Sequence, residues 1–238
     1  IPYIRAKLTG VADEIFTTSL VEAHRINSPF IISNENFKQS FSEKAAYKRS
    51  IPLNWEKIAK ALLYYDANSL LHGVFLANLE DGRIKVARAI SGFIEAEDVR
   101  EAVSGGVKNN AIDPTGTLMA ADYIKDVYSN VPYQRVEYTA ANITAYFNLD
   151  LGLLRSYDLG EEATELLIAL AIYKVKLFLE TGLRLRTACD LEMQGELSCT
   201  NADFDLPEKK VLLDIIKNNI SSCQAKGLFA NPAVTEII

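Results

Sequence analysis

The stretch GLRLRTACDLE, Gly182 to Glu192, sets Leu183 and Leu185 alternating with Arg184 and Arg186, as on a strand with one buried and one charged face. Salt bridges to Glu180, Asp190 or Glu192 are one use for two same-face guanidiniums. His24 and His72 titrate near neutral pH and could serve as general bases. Neither has a motif-level partner, and a hydrogen-bonded structural histidine is the plainer reading. SGGVKNN, 104–110, reads as a glycine-rich turn with one lysine, whose exposed N–H groups could approach a phosphate closely. The acidic pairs Glu95 with Glu97, Glu161 with Glu162, and Asp203 with Asp205 have the chemistry for Mg²⁺, and also that of solvated surface acids. GxSxG, GxxxxGKS/T and HExxH are all absent.

These residues need elements to position them. From the N-cap residue Asn54, WEKIAKALLYY places Trp55, Ile58, Leu62 and Tyr65 on one face of a short amphipathic helix. After the Asp81-Gly82 turn, RIKVARAISGFIEAEDV alternates with one register shift, which predicts a strand or bent strand pair. Residues 100–133 lose periodicity and gather Gly, Asn, Ser and Pro, the composition of a long excursion, and Asp113 lies within it. RVEYTAANITAYFNLDL is a strand or strand pair, and Gly160 to Thr181 a helix with acids in its first turn and Gly182 at C′. A final helix is expected with Pro207 in its first turn and a stop at Gly227. This order predicts an α+β fold, compatible with a ferredoxin-like sheet covered by helices on one face. No linker divides the chain, which predicts a single domain over 1–238.

Composition narrows the setting. The chain has 238 residues and 49% hydrophobic content, enough to bury a core. Its longest apolar run, Leu166 to Tyr173, is far short of the ~20 residues that span a bilayer. IPYIRAK has neither an initiating Met nor a signal-peptide pattern, so residues are expected to precede it. Cys189, Cys199 and Cys223 are odd in number and form no CxxC pair, which fits a reducing cytoplasm and no cysteine-bound metal. A net charge of -6 argues against nucleic acid until it is resolved along the chain. Residues 1–60 carry nine Lys or Arg against six Asp or Glu, leaving 61–238 with a balance of -9, so a basic groove is compatible with the acidic whole. Basic residues also recur beside aromatics, as in Tyr47-Lys48-Arg49 and around Tyr133, Arg135 and Tyr138, the pairing that holds single-stranded nucleic acid.

Several stretches together resemble the RAMP backbone subunit of type I-G (formerly I-U) CRISPR effector complexes. They are EAHRINSPF (22–30), NSLLHGVFLA (68–77), GRIKVARAISGFIEAEDV (82–99), SGGVKN (104–109), VPYQRVEYTAANITAYFNLDL (131–151), GLRLRTACDLE (182–192) and GLFANPAVTEI (227–237). The resemblance implies an RRM-like palm with an inserted thumb at 100–133. It further implies protomers stacked along a CRISPR guide RNA and presenting it to target DNA, beside copies of the same chain and other effector subunits. No cofactor, catalytic role or membrane partner is implied. Motif membership carries RNA binding onto His24, Arg25, Arg83, Arg88, Lys108, Arg135, Arg184 and Arg186. Related type III backbone subunits cleave target RNA through a loop aspartate, so a metal-dependent ribonuclease using Asp113 is the alternative, with no cleavage expected.

Overall fold

The computed structural model describes residues 1–8, 14–109, 130–186, 189–200 and 204–238. Asp113, with the rest of 110–129, and Asp203 lie outside the described residues. Contacts divide the chain into two units, 1–91 with 147–238, and 92–146.

The first unit is mixed α+β and holds the hydrophobic core. Strand β1 (Tyr3–Lys7) buries Ile4 and Ala6 and lies at the centre of a three-stranded sheet. On one side it pairs antiparallel with β2 (Phe16–Thr18); on the other it runs parallel to the final strand β11 (Val234–Ile237). Its alternation covers only five residues and does not stand out in the sequence. A 3₁₀ turn at Arg25–Asn27 leads to α1 (Pro29–Ile32), α2 (Glu35–Lys44), α3 (Trp55–Tyr65) and α4 (Asn68–His72). Asn34 and Asn54 cap α2 and α3, each side-chain oxygen accepting from a backbone N–H three residues on, at 3.0 Å. Phe37, Phe41 and Tyr65 pack ring on ring between these helices. Trp55 departs from expectation: at the first position of α3 it is half exposed, while Ile58, Leu62 and Tyr65 are buried.

A small hairpin follows, β3 (Val74–Phe75) with β4 (Lys85–Val86), and β5 starts at Ile90, so the stretch expected as a strand or bent strand pair holds two strands separated by residues 87–89. Gly73, at the end of α4, has φ +73 and would place a Cβ 2.8 Å from the Val86 carbonyl oxygen, so only glycine fits between helix and hairpin. The unit continues with α5 (Leu151–Ser156) and the twenty-residue α6 (Glu161–Glu180), which packs against α7 (Lys209–Ala225). Helix α7 begins two residues beyond Pro207, with extended Glu208 at its N-cap. Between these helices β9 (Leu183–Arg186) pairs antiparallel with β10 (Cys189–Leu191). Leu185 is half exposed there, which corrects its expected placement on a buried face: β9 belongs to a two-stranded hairpin and is not the inner strand of a larger sheet.

The second unit is built of strands. β6 (Arg100–Asn109) and β7 (Asn130–Thr139) pair antiparallel through ten successive partners, and β5 (Ile90–Glu97) pairs with β8 (Asn142–Leu149). The first ten residues of the expected excursion are thus strand, and SGGVKN is not a turn: Gly105 faces Gln134 and Gly106 faces Tyr133. A Cβ on Gly105 would lie 2.9 Å from the Tyr133 carbonyl oxygen. None of the described residues of this unit is buried, which is why apolar alternation, a signature of one buried face, is missing from its sequence.

Candidate nucleic-acid interface

Within the first unit the turn at Arg25–Asn27, the end of α4 and the β3–β4 hairpin enclose a cleft of about 410 Å³. Of the sequence-predicted residues it gathers three: His24, Arg25 and Arg88. Lys85 and Phe75 join them, and these two are direct partners across the β3–β4 ladder, so they share a face. Both are exposed. No carboxylate is among the lining residues, which leaves the cleft cationic with one accessible ring. Arg25 is half-buried; its φ of 50° is uncommon for a side-chain-bearing residue, and its guanidinium donates to the Gly73 carbonyl at 3.1 Å.

A polar cluster supports this cleft from the core. Asp66, fully buried, accepts from the Ser69 hydroxyl at 2.8 Å through Oδ2, while Oδ1 has no hydrogen-bond partner. Burial pushes its carboxyl up to about 6, against the pull of Ser69, the Asn68 backbone, Arg25 and Lys174. Lys174 reaches in from α6, on the same helical stripe as Leu167 and Leu170. It donates to the Asn68 side-chain oxygen, and its Nζ lies 2.9 Å from Nε2 of His72. Burial lowers the Lys174 ammonium to about 8, with Asp66 opposing the shift. Burial and the nearby cations Lys174 and Arg25 lower His72 to about 4, so its ring is neutral at pH 7. His72 is therefore a hydrogen-bonded histidine in the wall of the cleft.

The other predicted residues lie elsewhere. Arg83 is committed: its guanidinium donates to Asp81 at 2.6 Å and to the Ile51 carbonyl at 2.7 Å. Tyr47 also donates to Asp81, and this bond, first among several, holds that carboxyl down at about 2. In the second unit Lys108 lies over the Tyr133 ring, 5.8 Å from its centroid, and Arg135 pairs with Glu137 at 2.5 Å. Phe93 stacks on Tyr146 with centroids 4.9 Å apart. On β9, Arg184 pairs with Asp190 at 3.7 Å, one of the three acids expected, and Arg186 sits opposite Cys189 in the ladder. Both members of the Arg184–Asp190 pair are largely exposed, and such a pair contributes about 0–1 kcal/mol. Glu162 accepts from Lys226. Among the described residues no three His, Cys, Asp or Glu side chains converge as metal ligands, and no helix is long and apolar enough to cross a membrane.

Sequence reasoning missed Phe75, Lys85, Asp66 and Lys174. The signal for Lys174 was present, since it interrupts an apolar run in the middle of a helix. Asp66 carried none, because an aspartate after a helix is ordinarily a solvated cap.

Residues 1–101 match the family described as CRISPR-associated protein GSU0053. This is a CRISPR-associated family. The matched segment is less than half of the chain, yet it contains every residue lining the cleft; Lys174 alone of the cluster reaches in from outside it. A solved chain described as "CRISPR RNA-guided surveillance complex, pre-nicking" aligns with 12% identity and a TM-score of 0.35 over 93% of this chain. The alignment spans 62% of that solved chain. No curated protein matches.

Proposed function

We propose that this protein is a non-catalytic CRISPR RNA-binding backbone subunit of a type I surveillance complex. The observation that carries the reading is a cleft with three cations, an accessible ring and no carboxylate, lying wholly inside the segment that matches a CRISPR-associated family. Arg25, Lys85 and Arg88 neutralise guide phosphates, and a base stacks on Phe75. His24 lies at the rim of the same path. Lys108 and Arg135 on the β6–β7 hairpin, and Arg184 and Arg186 on β9, add phosphate contacts, while Arg83 acts by holding Asp81 and the Ile51 loop.

The three-stranded sheet β11-β1-β2 stands as the RAMP palm and the β6–β7 hairpin as the base of the thumb. Copies of the chain stack along the guide in the cytoplasm beside other effector subunits, and the guide pairs with target DNA. Sequence is read by base pairing, so the protein needs only backbone and shape. The acidic remainder of the surface keeps such an assembly soluble and disfavours unguided nucleic acid.

Co-expression with a CRISPR array, followed by purification and by sequencing and sizing of the bound RNA, tests this reading. Array-derived RNA in a large, regularly spaced particle is the expected result. A small particle free of nucleic acid would reject it.

A further inference from the structure

The chemistry of the Lys174–His72 contact determines more than burial. A protonated lysine has three donors and no acceptor, so at 2.9 Å from Lys174 Nζ the Nε2 of His72 must be the accepting nitrogen. Accepting requires Nε2 to be unprotonated. The single proton of the neutral ring is then on Nδ1, and the tautomer is set by a contact within the fold. The same lysine is held on its other side by the Asn68 side chain, so its position is fixed from two directions. The lowered titration of His72 agrees with this arrangement.

His72 also lines the cleft, among Arg25, Lys85 and Arg88. A charged acceptor such as a phosphate oxygen is matched by those three cations. An N–H donor beside them can also serve an acceptor that carries no charge. Along a polynucleotide backbone the ring and ester oxygens of the sugar occur in RNA and DNA alike, whereas the 2′-hydroxyl oxygen is present only in RNA and lets a protein distinguish the two.

We propose that His72 is a specificity-determining residue of the cleft, its Nδ1–H donating to a ribose 2′-hydroxyl and so favouring RNA over DNA. This rests on the RNA-binding reading above and adds the sugar as the feature recognised. Lys174 is a positioning residue: it acts through His72 by holding the ring in one tautomer.

Two measurements test the proposal. Long-range ¹H–¹⁵N correlation spectra of the wild-type protein at pH 7 are expected to report the His72 ring protonated on Nδ1 only. A ring protonated on Nε2, or on both nitrogens, overturns the proposal whatever the binding data say. The second measurement is the affinity ratio between a mixed-sequence single-stranded RNA and its 2′-deoxy counterpart, at one salt concentration. Wild type is expected to prefer RNA, and His72→Phe, which keeps a ring and loses the donor, to reduce that preference roughly fivefold, the worth of one hydrogen bond. His72→Asn, whose amide retains both an acceptor for Lys174 and a donor, is expected to restore it in part. A ratio unchanged in a folded His72→Phe overturns this proposal alone. Binding of neither strand by the wild type overturns the RNA-binding reading and this proposal together.

Discussion

The two units of this chain use polar side chains in opposite ways. In the first, Asp66, Lys174, His72 and Arg25 are wholly or partly withdrawn from water, and the cost of withdrawal is visible in four displaced titrations. In the second, every described side chain is exposed or half-exposed, and the strands are held by backbone pairing over ten residue pairs. A buried polar group is fixed by its partners and can present one chosen donor. An exposed one, such as Arg135 beside Glu137, is only loosely held and contributes charge. Specific recognition is therefore expected from the first unit and general phosphate attraction from the second.

The sharpest contrast is in stability. Phe41→Ala removes a fully buried ring from the cluster with Phe37 and Tyr65 and is expected to cost about 3–5 kcal/mol in denaturant unfolding. A cost below about 1 kcal/mol would mean that the helical core is not the stabilising centre of the first unit.

Binding comes next. Phe75→Ala is expected to weaken RNA binding by about 1–3 kcal/mol with little change in the unfolding midpoint, because the ring is half exposed. Arg88→Ala should instead flatten the salt dependence of binding by about one unit of slope, whatever the RNA sequence. If Phe75→Ala binds as wild type does, the cleft is not the stacking surface.

The buried cluster makes a pH prediction whose sign follows from its two shifts. Between pH 4 and 6 folded Asp66 holds a proton that the unfolded chain has released, so its contribution to stability falls as pH rises through that window. Over the same range folded His72 refuses a proton that the unfolded chain binds, so its contribution rises with pH. The two nearly cancel in the wild type. Asp66→Asn should unmask His72 and lose stability on acidification from pH 6.5 to 4, by up to about 1 kcal/mol per pH unit. His72→Asn should unmask Asp66 and gain stability over the same descent. Parallel pH profiles for the two variants would contradict the opposition.

The smallest effect is expected in the second unit. Val103→Ala, at a side chain 62% exposed on β6, should change unfolding by no more than about 0.5 kcal/mol. A larger loss would indicate that this strand face is covered when the protein is isolated.

Much of the first unit was readable in the chain because its elements each bury one face. Asn54 and the spacing of Ile58, Leu62 and Tyr65 specify α3, and the acids after Gly160 and the glycine at 182 bound α6 closely. Where no face is buried the pattern vanished, and the Gly105–Gly106 strand read as a turn. Part of the site was legible for a different reason: His24, Arg25 and Arg88 belong to recognisable motifs, whereas Phe75 and Lys85 are ordinary residue types whose pairing across a two-residue ladder has no local signature.

Helix positions, the caps, the uneven charge and the resemblance of the motifs were properties of the sequence, because each depends on residues close together in the chain. The neutral His72 beside Lys174 was not. It depends on Lys174, more than a hundred residues away, and on a buried Asp66 whose carboxylate is shifted by desolvation alone more than by any neighbour. Contacts across that distance, and the loss of water that gives them their strength, exist only once the chain has folded.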